Sequence, residues 1–358
     1  MEFGLQFFPA VGPDQVSAER YFRDALNLIE RAERLGYTNV RAVEHHFHRY
    51  GGYSPNPLVF LAAAAARTTK MRLITGAVLP VFNNPLKLAG EIGMVDAISG
   101  GRLEVGLARA FVPQEFVRFG VSLDESRARF EEGLAVTTRL LQQEGVAYSG
   151  RFHSFPATTS LPRPTQTGGP PVWVAAVATE ESFVRAGERG HWLMTNPLGG
   201  SRIRRLIETY REAWTAAGHP GRGRVMIAFF MVCDPDHERA VAVARGPIDR
   251  WLAALADATS DWAGTRSADY PGYEEMVSRI GRATFETNVE EGAAWVGTPK
   301  EIRAQIDASR EALGEFDIAS LQVSITDMSL ESAQRSMEAF ASDVMPAFSE
   351  PQRVGAAR

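Results

Sequence analysis

The chain has a single cysteine, Cys233, in 358 residues. One thiol can close no intrachain disulfide and cannot build a zinc site on several thiolates, and such sparing use fits a reducing cytoplasm. No stretch of about 18 apolar residues occurs, and the N-terminal MEFGLQFFPAVGPDQ lacks a basic region ahead of an apolar run, so neither membrane spanning nor export is expected. A basic cluster is missing as well. The 38 Lys and Arg are outnumbered by 43 Asp and Glu and are scattered, which leaves a formal net charge of −5 and makes nucleic acid an unexpected partner. There is no Gly-rich dinucleotide fingerprint between a strand and a helix, so no nicotinamide site is expected. No short-period repeat is present either.

What is present is an ordinary globular balance, 45% hydrophobic and 23% charged, arranged in alternating strand and helix patterns. Strand-like runs fall at 3–8, 38–44, 72–78, 102–108, 172–177, 191–195, 225–232 and 319–325. Helical spacing fills 18–35, 57–69, 86–98, 124–143, 180–189, 201–217, 235–256 and 299–313. Asp124 is the expected cap of the helix ending near Gln143. Eight β/α units predict a closed (β/α)8 TIM barrel, one domain over 1–348, with 349–358 as a disordered tail. Residues 145–170 read as an insertion. Residues 257–287 are long and polar for a connection and read as a mobile cover over the active site.

Three places carry chemistry. Glu44-His45-His46-Phe47 falls where the second strand ends, the face on which barrel active sites are built. A metal competes for this cluster, but adjacent strand residues point to opposite faces, so His45 and His46 are poorly placed to share one ion. Arg109 ends the fourth strand, where a guanidinium suits a phosphate better than a core, and Arg127 in the next helix offers a second cation. Val177-Ala178-Thr179-Glu180-Glu181-Ser182 opens a helix whose free N–H groups favour an anion near Thr179 and Ser182, although Glu180 and Glu181 complement the same dipole themselves.

Together with Thr75-Gly76-Ala77-Val78-Leu79-Pro80 and Ser99-Gly100-Gly101-Arg102-Leu103-Glu104-Val105-Gly106, these motifs resemble, in order and spacing, the bacterial luciferase-like flavin monooxygenases. The resemblance runs from about residue 2 to 345 and is strongest in the first 190. It implies FMN, used as FMNH2 delivered by a separate NAD(P)H:flavin reductase, and O2 passed through a peroxyflavin to a small organic substrate. By the same resemblance His45 handles a proton beside the flavin and Glu44 lies near it. Gly76-Ala77 matches a non-prolyl cis peptide under the ring, and Arg109, Arg127 and Ser182 match phosphate contacts. Phe111, Ala178 and Thr179 are expected to line the site, and a homodimer is expected.

The segment Val81–Pro85 is one residue longer than usual, and an extra residue near Glu180-Glu181 blurs the phosphate contacts. Ala108 replaces the cysteine of light-emitting members, so bioluminescence is not implied. A deazaflavin-dependent hydride transferase on the same fold and a metal-dependent barrel hydrolase are the alternative enzymes, and a non-catalytic flavin-binding relative is the third. Phe8, Phe82, Phe111 and Trp173 suggest a partly apolar substrate.

Overall fold

Three helix starts in this chain are written as a capping residue followed by proline. Asn56-Pro57, Asn84-Pro85 and Thr298-Pro299 open the helices Pro57–Arg67, Pro85–Ser99 and Pro299–Leu313, with the Asn or Thr side chain accepting the first free N–H groups. The helix Ala18–Leu35 begins at Ser17 and is stopped by Gly36 in the left-handed conformation.

The computed structural model describes residues 1–177, 179–197 and 200–348. Its strands are β1 (Glu2–Phe7), β2 (Asn39–Ala42), β3 (Arg72–Thr75), β4 (Leu103–Leu107), β5 (Val146–Ser149), β6 (Ser154–Thr158), β7 (Val172–Ala175), β8 (Trp192–Thr195), β9 (Val225–Cys233), β10 (Ala294–Gly297) and β11 (Ile318–Gln322). Eight of them pair in parallel in the order β9-β11-β1-β2-β3-β4-β7-β8, and β8 pairs back to β9, which closes a (β/α)8 barrel. All eight strand runs read from the sequence are these.

Two features were not foreseen. The insertion at 145–170 carries an antiparallel hairpin, β5 with β6. A ninth parallel strand, β10, pairs only with the overhanging end of β9, Ala294 opposite Phe230 and Gly297 opposite Cys233. The barrel interior is layered. At its N-terminal end Arg72 bonds both Glu104 and Glu2, and Arg224 bonds Glu2. Above lies an apolar layer of Ile74, Trp173, Met194, Met226 and Ile318. Trp173 is fully buried there and donates to Glu104 (2.8 Å), so it belongs to the core and does not line a substrate pocket.

The stretch 257–287, expected as an irregular loop, is largely helical. The helix His237–Thr259 runs into a short turn, Ser260–Gly264, followed by helices Tyr273–Ile280 and Phe285–Glu290. Its polar composition conceals three aromatic anchors, Trp262, Tyr270 and Phe285, all buried. Residues 349–358 and Ala178 lie outside the described residues.

Cys233 ends β9, 1% exposed, and burial, with Asp343 and Asp234 nearby, pushes its thiol up to about 12. A thiol so placed is inert, because the thiolate is the reacting form. Ellman's reagent is therefore expected to find no reactive thiol in the native protein at mildly alkaline pH and one thiol after unfolding in guanidinium. Rapid native labelling would contradict the burial.

Candidate active site

Strand β2 ends at Ala42 and releases Val43-Glu44-His45-His46-Phe47 at the C-terminal mouth of the barrel. The turn that follows brings Gly51 against the cluster; a Cβ there would lie 2.4 Å from the His45 Cβ, so only glycine lets the chain fold back this closely. His45 is buried, 7% exposed, between Phe8 (ring centroids 5.3 Å apart, stacked), Tyr50 and Phe111. The adjacent His46, likewise past the end of β2, turns instead toward Glu44, Phe82 and Phe119.

One carboxylate organises the turn. Glu115, 1% exposed in the short helix Pro113–Phe119, accepts from the His46 backbone N–H (2.8 Å) and meets His45 Nδ1 (3.0 Å) through the same oxygen. That bond fixes the imidazole and leaves Nε2 as the ring atom for proton chemistry. Glu115 was missed in the sequence because an acidic residue in the first turn of a helix reads as complementing the helix dipole.

Glu44 is equally committed. Its oxygens accept from Leu79 N–H (2.9 Å) and Asn83 Nδ2 (3.0 Å), and one of them also meets His46 Nε2 (3.1 Å). These bonds hold the loop after β3, in which the Gly76–Ala77 peptide is cis. Glu44 thus positions this loop.

The cations read from the sequence converge on a different partner. Asp269, from the segment over the barrel mouth, accepts from Arg127 N–H (3.0 Å) and Ser126 Oγ (3.3 Å) at the start of the helix Ser126–Gln142, and its carboxylate lies 3.9 Å from Arg127 Nε. Arg109 donates to the Asp269 carbonyl (2.6 Å) and sits 4.0 Å from the centre of the Tyr270 ring. Arg127 also pairs with Glu181 (2.9 Å). The expected cap, Asp124, does not serve this helix; it precedes the first turn and accepts from Ser267 instead (2.6 Å). Two more bonds tie the segment down, Trp262 Nε1–H to the Phe111 carbonyl (2.8 Å) and Tyr270 O–H to the Ala110 carbonyl. Thr179 and Ser182 flank the next helix start, Glu180–Glu188, where Thr179 makes no side-chain cap.

A family model described as luciferase-like monooxygenase matches residues 1–315. The chain belongs to the luciferase-like monooxygenases. A monooxygenase of Streptomyces bottropensis, RslO1, is similar in structure with a TM-score of 0.87 and 41% identity, covering 98% of this chain and all of that one. The oxygenase component of the flavin-dependent trigonelline monooxygenase of Acinetobacter baylyi is 30% identical over 98% of this chain and 96% of its own. An uncharacterised protein of Sinorhizobium fredii, y4vJ, is 35% identical over 199 residues, about half the length of each chain (55% and 56%).

In this luciferase-like monooxygenase the Glu115 bonds are the test of the turn. Glu115→Ala leaves two donors without their buried acceptor and is expected to lower the unfolding free energy by about 2–4 kcal/mol in urea titration, with Glu115→Gln costing less because an acceptor oxygen remains. A loss below about 1 kcal/mol for the alanine variant would contradict the geometry.

Proposed function

We propose that the chain is the oxygenase of a two-component monooxygenase. It takes up FMNH2 made by a separate NAD(P)H:flavin reductase and uses O2 to oxygenate a small organic substrate. The observation that carries this reading is the convergence on Asp269: a helix N-terminus and Arg127 meet its carboxylate and Arg109 donates to its backbone carbonyl, so this group of donors at the C-terminal face of the barrel suits the phosphate of FMN. The oxygenase-component name of the Acinetobacter baylyi relative supports a separate reductase.

Reduced flavin, when bound, supplies the electrons with which dioxygen yields an oxygen atom for the substrate. The rest falls to the chain. Arg109, Arg127 and the N–H groups of the helix Ser126–Gln142 would hold the phosphate, with Thr179 and Ser182 beside them. The loop carrying Gly76-Ala77, braced by Glu44, would back the ring, and Phe111 would form part of its wall. His45, steadied by Glu115, would hold or release a proton at Nε2. The segment 257–287 would exclude water from the mouth.

Phosphate and Asp269 then compete for the same donors. Arg109→Ala is expected to weaken FMN binding about tenfold or more, close to 1.4 kcal/mol, and to leave riboflavin binding unchanged. Asp269→Ala is expected to tighten FMN binding several-fold by removing the internal competitor. Fluorescence titration with both flavins checks this, and an Arg109→Ala variant with undiminished FMN affinity would remove the phosphate site.

A further inference from the structure

Arg41 lies on β2 with its side chain inside the barrel, 6% exposed. It donates to the Gln6 side-chain oxygen on β1 and reaches the Met226 sulfur on β9 (3.8 Å), and its Nε has no partner. Among the described residues no carboxylate bonds it. The buried acids are bonded elsewhere: Glu104 to Arg72 and Trp173, Glu44 to Leu79 and Asn83, and Glu115 through one oxygen to His45 and His46, its second oxygen having no partner.

A structural arginine in this same protein looks different. Arg102 directs its three nitrogens at five acceptors, four of them backbone carbonyls, and ties the start of β4 to the end of the helix Pro57–Arg67. Arg41 ties nothing of the kind. A buried charge without a counter-charge is unfavourable. Burial accordingly pushes the Arg41 guanidinium down to about 10, with only Tyr50 acting in the opposite direction.

The surroundings of Arg41 say where the missing negative charge would come from. A Cβ on Gly76 would lie 2.2 Å from the Arg41 stem, so the stem packs against the Gly76-Ala77 peptide that backs the proposed ring site. Gln6, its hydrogen-bond partner, borders a cavity of about 280 Å³ at the barrel mouth, with Gln322, Phe230, Trp251 and Leu252 around it. The cavity joins aromatic walls to the amides of Gln6 and Gln322 and to Arg279, Arg282 and Glu291, and Arg41 stands behind Gln6. Such a wall suits a flat ring whose polar edge is turned toward Gln6.

We propose that Arg41 is a ligand-binding residue that recognises a delocalised anion on the edge of a ring bound at the barrel mouth. Two sources present that chemistry: the pyrimidine edge of reduced flavin, which ionises near neutrality, and a substrate carrying a carboxylate or phenolate on an apolar ring. The flavin source rests on the function proposed above; the substrate source does not.

The experiment uses the full chain with Arg41→Met, and Arg41→Lys as the charge-retaining control. FMN is titrated in its oxidised and reduced forms without oxygen, and 2-naphthoate and the neutral 2-naphthamide are titrated by quenching of tryptophan fluorescence. If flavin supplies the anion, Arg41→Met leaves oxidised FMN affinity within about twofold and weakens reduced FMN about tenfold, lowering the bound flavin's potential by about 30 mV, while Arg41→Lys restores most of it. If substrate supplies it, the potential is unchanged and 2-naphthoate, not 2-naphthamide, loses affinity about tenfold. In both cases the unfolding midpoint of Arg41→Met without ligand equals or exceeds that of the parent. The proposal is overturned if neither anion is weakened, or if the midpoint falls and Arg41→Lys restores stability but not anion binding. Should Arg41→Met not fold, Arg41→Gln against Arg41→Lys gives the same comparison. FMN that binds the parent in neither state would remove the flavin reading and leave 2-naphthoate to decide on Arg41 alone.

Discussion

The site is closed by one carboxylate that arrives from far along the chain. Asp269 bonds Ser126, 143 residues away, together with the Arg127 N–H, and caps a helix that has no side-chain cap of its own. The first N–H groups of a helix have no partner within it, so something must meet them. Here that group belongs to the segment lying over the barrel mouth. Helix start, cations and covering segment are thereby joined through one residue. Trp262 and Tyr270 add carbonyl bonds at Phe111 and Ala110, on the stretch that joins β4 to Glu115 and through it to His45.

Charges inside the barrel divide by their partners. The lower layer is fully paired: Glu2, Arg72, Glu104 and Arg224 satisfy one another and seal the N-terminal end. Toward the mouth the pairing is less complete. Glu115 keeps one oxygen without a partner, and Arg41 keeps its Nε unbonded. Buried polar groups are normally satisfied; others without a partner, such as Asn39 Oδ1, His191 Nδ1 and Ser320 Oγ, are scattered through the fold, whereas Glu115 stands at the end of the barrel where ligands of this fold bind.

The repeating architecture was legible because it is local. Short apolar runs and helical spacing lie within a few residues of one another, and they located all eight barrel strands. Strand β10 escaped because its four residues pair only with an overhang of β9, a tertiary fact. The cis peptide at Gly76-Ala77 was expected from the family resemblance, and the cationic character of the Arg109 and Arg127 region from the residues themselves. Asp269 could not be read, since nothing in Ser267-Ala268-Asp269-Tyr270 announces a helix start in another part of the chain; the local candidate, Asp124, was chosen for a role that the distant residue fills. Trp173 was misplaced because an aromatic beside a strand end reads the same whether it faces cavity or core. Arg41 drew no notice in the sequence, for its meaning lies in the absence of a counter-charge around it.

The central claim is that this chain takes reduced flavin from solution and governs its reaction with oxygen. Stopped-flow absorbance tests it most directly, by mixing the protein and pre-reduced FMN with oxygenated buffer beside a His45→Ala variant and free FMN. The account predicts a protein-dependent absorbance phase between reduced and oxidised flavin, with altered kinetics when the His45 imidazole is removed. A trace that follows free FMN throughout, under conditions where reduced FMN is bound, would contradict it.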